Sequence, residues 1–110
     1  MKNWQNKAEF KEQVYLWAQK LKVDINSLSL RPMSNKWASC STKGNLNFND
    51  ELLRIEKDLG IYVIVHELLH FHYTNHGPVW KSMMSHYLGN YELLEKKLKN
   101  LSLRINNDLL

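Results

Sequence analysis

The chain has 110 residues, 44% of them hydrophobic and 11% aromatic, which is enough for one domain with a core and excludes a disordered composition. Its formal charge of +4 comes from lysines and arginines spread along the chain, so contact with nucleic acid is permitted but not demanded. The single cysteine, Cys40, excludes an internal disulfide and fits a reducing compartment. No apolar run is long enough to cross a membrane, and the charged first 22 residues argue against a signal peptide, so the expectation is one cytoplasmic domain over residues 1–110.

Residues 4–21 place Phe10, Val14, Trp17, Ala18 and Leu21 at helical offsets, with Lys7, Lys11, Glu12 and Lys20 off that face, which predicts an amphipathic scaffold helix. Residues 27–33 alternate through Leu28 and Leu30 and read as a strand ending near Pro32. Residues 36–41 form a second short strand carrying Trp37 and Cys40. Thr42-Lys43-Gly44-Asn45 is a turn in which Gly44 is free to take φ > 0. Leu46 and Phe48 then alternate with Asn45, Asn47 and Asn49, giving a third strand with one polar face that could extend through Leu53. The expected sheet is small, three-stranded and antiparallel. A long helix follows over residues 56–73. Its start carries negative charge, as the helix dipole favours, and Gly60 inside it costs about 1 kcal/mol against alanine. Thr74 to Pro78 break that helix, and Pro78 suits the first turn of the next one, which runs to about Leu88. Gly89-Asn90 break again. A last helix runs over residues 91–105 with Leu93, Leu94, Leu98, Leu101 and Ile105 on one side, and residues 106–110 are expected to fray. The fold class is α+β.

The chemistry concentrates in His66-Glu67-Leu68-Leu69-His70, followed by His76. Histidines at i and i+4 lie ~40° apart around a helix and about 6 Å apart along it, so their imidazoles converge on one ion. Residues 61–65 are apolar without interruption, which marks a buried helix. Polar groups at the end of such a helix are costly unless something pairs with them, and a zinc ion supplies that pairing. Glu67 sits beside the ion, where a general base for its water belongs. A catalytic zinc takes three protein ligands. His76 is the first choice for the third, because the chain break before it lets it fold back; His86, Glu92 and Glu95 are the alternatives. His72 is roughly 160° from His70 around the axis and should point away. His86 reads as a packing or surface residue, and Glu95, with Lys96, Lys97 and Lys99, as a solvated face. Cys40 reads as a small buried strand residue, and Trp37, Trp80 and Phe71 as core.

Arg31-Pro32-Met33, Trp37-Ala38-Ser39-Cys40-Ser41, Lys43-Gly44, Asn45-Leu46-Asn47, the stretch Tyr62-Val63-Ile64-Val65 with the histidine motif, and Asn75-His76-Gly77-Pro78 with Trp80 resemble the YgjP-like metallopeptidases, small zincins akin to the SprT and WLM proteases. The likeness runs from about Leu28 to about Leu98. It implies a minimal zincin-like core, zinc held by His66, His70 and His76, and Glu67 as general base. It also implies that the strand through Trp37 and Ser39 lines the cleft, since extended substrates pair with edge strands in such folds. Ala38 and Gly77 depart from the family's usual glycine and serine. The expected activity is zinc-dependent hydrolysis of peptides, with Tyr73, Tyr87 and Tyr91 as candidate oxyanion donors. The alternative is a non-catalytic zinc-stabilised module that binds protein or nucleic acid. A DNA-associated protease of the SprT type is a weaker third reading, and it predicts salt-sensitive DNA binding.

Overall fold

The structure, a computed structural model, describes residues 3–101. In chain order it comprises helix α1 (Lys7–Leu21), strands β1 (Ser27–Arg31), β2 (Ala38–Cys40) and β3 (Asn45–Asn49), a 3-10 turn (Asp50–Arg54), and helices α2 (Lys57–Leu69), α3 (Pro78–Leu88) and α4 (Tyr91–Leu101). Residues 102–105 of the expected last helix, and the fraying expected beyond them, lie outside the described residues.

α1 begins three residues later than its periodicity suggests. Asn6 caps it by accepting from the Glu9 amide, while the Glu9 carboxylate accepts from the Gln5 amide, so the charged start of the helix is tied to its own backbone. Trp4 is thereby left outside the helix, free to pack on Phe10 with ring centroids 4.8 Å apart. α1 turns Phe10, Val14, Ala18 and Leu21 inward, as the spacing predicts.

The sheet is mixed rather than antiparallel, with strand order β1-β3-β2. β2 and β3 form the expected hairpin, but β1 pairs with β3 in parallel, Leu28 opposite Leu46 and Leu30 opposite Phe48. Neighbouring strands lie ~4.8 Å apart, and residues 32–37 are long enough to carry the chain across the end of β3 to its far side. Asn49, fully buried at the end of β3, holds that crossing in place. Its side-chain amide donates to the Met33 and Lys36 carbonyls, both at 2.8 Å, and its carbonyl oxygen accepts from the Glu51 amide. β3 therefore stops at Asn49, and Leu52 and Leu53 belong to the 3-10 turn.

Alternation sorts the sheet into two faces. Leu28, Leu30, Ala38, Cys40, Leu46 and Phe48 turn toward the helices. Ser27, Ser29, Arg31, Ser39, Asn45 and Asn47 form the outer polar face, where Ser29 donates to Asn47 at 2.6 Å. Gly44 turns the hairpin with φ +87, and a Cβ there would meet the Asp24 carbonyl at 2.9 Å.

α2 is the centre of the molecule. Tyr62, Val63, Ile64, Val65 and Leu68 are wholly buried among α1, α3, α4 and β2. Each such side chain contributes roughly 1.5–3 kcal/mol by burial, which is what places the polar end of this helix inside the protein. Gly60 lets Trp4 lie against the helix backbone.

Candidate metal centre

α2 ends one residue short of the motif's last histidine. His70 is its C-cap, and the amides of His70, Phe71 and His72 bond three residues back in a tightened last turn. His66 is 1% exposed and Glu67 5%, whereas His70 is half-buried and opens toward solvent. The chain then bends through Thr74 and Asn75, whose side-chain oxygen accepts from the Gly77 amide at 3.0 Å. Gly77 caps α3 and Pro78 opens it. This bend returns His76 to the end of α2.

One ring nitrogen from each of His66, His70 and His76 lies within 4.8 Å of the other two, and together they could hold a metal ion. Nδ1–H of His70 donates to the Tyr73 carbonyl at 3.1 Å, which leaves Nε2 as a free lone pair. That Nε2 faces Nε2 of His76 at 3.1 Å. Two imidazoles on one tetrahedral zinc, with bonds of about 2.0–2.1 Å, hold their nitrogens about 3.3 Å apart. Both ring nitrogens of His66 are buried without a hydrogen-bond partner; Glu67 Oε2 approaches its Nδ1 only at 3.4 Å. An orphaned buried imidazole is costly, and a cation between the three rings would pair with one of its two nitrogens, so the donor set fits a metal. Burial, then the neighbouring His66, hold the pKa of His70 below its ordinary value. Burial, then His66 and His70, do the same for His76. Both effects favour the neutral, ligating form.

Glu67 reaches the inward face of β2. Burial, then the charge and hydrogen bond of Glu67, push the Cys40 thiol up to about 12. Cys40 is half-buried on its strand, and what the sequence did not show is that it touches the motif carboxylate. Strand alternation contained the signal, since it sets Cys40 on the same face as Leu46 above the motif helix.

The other candidates distribute as follows. His72 points away from the cluster, and its Nε2–H donates to the Leu21 carbonyl at 2.8 Å. His86 is exposed on α3. Glu95 corrects the expectation of a solvated face: it is half-buried and accepts from the hydroxyl of the buried Tyr62 at 3.3 Å. Ser39 sits opposite Asn47 on the outer polar face, away from Glu67, because alternation gives the inward direction to Cys40. Trp37 is buried just before β2. Tyr87 meets Trp17 edge-on at 5.9 Å, whereas Tyr91 is buried and meets Trp80 at 6.0 Å.

A family model described as "YgjP-like, metallopeptidase domain" matches residues 1–101. The chain belongs to this family. This YgjP-like chain is therefore a metallopeptidase domain, an enzyme that uses a metal ion on peptide or protein substrates. The metallopeptidase zymogen jannalysin of Methanocaldococcus jannaschii is 30% identical, with 84% of this chain and 94% of that one covered and a TM-score of 0.70. The zymogen abylysin of Pyrococcus abyssi is 17% identical, with 92% and 99% covered and a TM-score of 0.74, and it shares the fold. The architecture is thus the minimal zincin-like α+β fold, with a mixed sheet. No curated protein matches the chain. Among the described residues, no helix is long and apolar enough to cross a membrane.

Proposed function

We propose that this YgjP-like domain hydrolyses peptide bonds with a zinc ion held by His66, His70 and His76 and with Glu67 as general base. The observation that carries the reading is the convergence of three imidazoles at the buried end of α2, beside a buried carboxylate. When bound, zinc would supply a Lewis acid and a water of lowered pKa. The chain's own residues do the rest. Glu67, one residue from His66, takes the proton of the attacking water and later returns it to the leaving nitrogen. The Tyr73 carbonyl fixes His70 in the tautomer that presents Nε2. Of the three tyrosines proposed as oxyanion donors, Tyr91 packs on Trp80, which in turn meets the histidine rings, while Tyr87 packs on Trp17 and Tyr73 on His72.

A non-catalytic zinc module would close the fourth position with a protein side chain. Cys40 would be the obvious ligand, but among the described residues it does not join the cluster and lies against Glu67 instead. That supports the catalytic reading. The test is metal content by mass spectrometry together with peptide turnover. Wild type should carry about one zinc per chain, in line with a three-ligand site. His76→Ala should lose most of it. Glu67→Gln should keep the zinc and lose turnover by at least about 100-fold. Unchanged turnover in Glu67→Gln would remove Glu67 from the mechanism, and a wild type without metal would sink the reading entirely.

A further inference from the structure

Trp80 touches every ring of the histidine cluster. Its centroid lies 4.3 Å from that of His76, 5.0 Å from His66 and 6.0 Å from His70, with interplanar angles of 34°, 79° and 20°. It stands in the first turn of α3, is 3% exposed, and is backed edge-on by Tyr91. We propose that Trp80 is a positioning residue of the metal centre, a wedge that holds the loop histidine His76 against the two histidines of α2. The inference rests on the reading of the cluster as a metal site.

The three ligand rings are not equally constrained. His66 is fixed by the buried body of α2, and His70 by its bond to the Tyr73 carbonyl. His76 sits in an exposed bend between helices; its Nε2 faces that of His70 at 3.1 Å, and by ring centroid its nearest neighbour among the described residues is Trp80, 4.3 Å against 4.9 Å to either histidine. Without the Trp80 contact the His76 ring would be held before binding only by its approach to His70, more of its ordering would fall at the moment of binding, and affinity would drop accordingly. The choice of tryptophan points the same way. Its Nε1–H is buried without a partner. A phenyl ring would fill the core without that desolvation cost, but it is narrower than an indole and spans less of the three-ring cluster.

The experiment compares zinc affinity by chelator competition for wild type, Trp80→Leu, Trp80→Phe and His76→Ala. The visible spectrum of each cobalt(II) form and metal-free thermal melts are recorded alongside. Trp80→Leu keeps an apolar side chain without a ring and is expected to weaken zinc binding by roughly 10–100-fold. Its cobalt spectrum is expected to shift toward that of His76→Ala. Trp80→Phe restores part of the affinity. A Trp80→Leu variant that melts cooperatively, binds zinc as tightly as wild type and leaves the cobalt spectrum unchanged overturns the wedge while sparing the metal site. Should Trp80→Leu not fold, Trp80→Phe decides: affinity weakened by about threefold or more supports the wedge, and wild-type affinity overturns it. Wild type that binds no zinc overturns the underlying reading, and the wedge with it.

Discussion

Cys40 and Glu67 meet between β2 and α2, and the carboxylate acts on the thiol. A thiol raised to about 12, first by burial and then by Glu67, is almost entirely protonated at neutral pH. It serves the carboxylate as a donor rather than acting as a nucleophile. Cys40 should therefore react slowly with iodoacetamide at pH 8. In Glu67→Gln the charge disappears and the rate should rise about tenfold, since thiolate fraction controls alkylation; equal rates would show that the carboxylate does not hold the thiol. The histidines make a pH prediction of their own. His70 and His76 have folded pKa values below the ordinary 6.5, chiefly from burial. Below pH 6.5 the unfolded chain takes up protons that the metal-free folded chain refuses, so their contribution is present above that pH and lost as it falls. Chelator-treated protein should melt lower at pH 5 than at pH 7.5, and the drop should be smaller in His76→Ala. An identical drop in that variant would assign the effect to other groups.

At the scale of elements, the backbone approach at Gly60 is the feature most open to test. A Cβ at this position would lie 2.7 Å from Nε1 of the buried Trp4, and its neighbours in the indole body are nearly as close. Alanine would gain about 1 kcal/mol of helix propensity, but displacing a packed indole costs roughly 1–3 kcal/mol. Gly60→Ala should lower the denaturant midpoint, and an unchanged or higher midpoint would show that Trp4 gives way. The helices were legible because periodicity reports burial directly: Phe10, Val14, Ala18 and Leu21 face inward as their spacing requires. The parallel pairing of β1 with β3 was not legible. Alternation says which face a residue occupies but not which strand lies beside it, and here the neighbour is set by a loop that Asn49 ties down. The same limit hid Trp80. Its apolar character marked it as core, but its place against three imidazoles depends on how α3 docks. The histidine motif was the most readable part, because its spacing within one helix needs no tertiary information; His76 needed the break at Thr74–Asn75 as well.

For the molecule as a whole, the cluster joins two parts of the chain. His66 and His70 belong to the end of α2, while His76 belongs to the bend that starts α3. A metal bound there would close that bend against the central helix, and it would bind only where the fold has brought the nitrogens together. Ligands that bind the folded state alone stabilise it by mass action, about 2.7 kcal/mol at one hundred times Kd. For a chain of this size that corresponds to a rise of about 10 °C in Tm. Zinc should therefore raise the Tm of wild type by this order, and a chelator should reverse the gain. Glu67→Gln should keep the full shift, because the carboxylate lies outside the donor set, whereas His76→Ala should keep little of it. This separates holding the metal from using it: a shift present in Glu67→Gln without turnover assigns the histidines to binding and Glu67 to chemistry. A wild-type Tm that ignores zinc would mean that the three imidazoles are not a metal site.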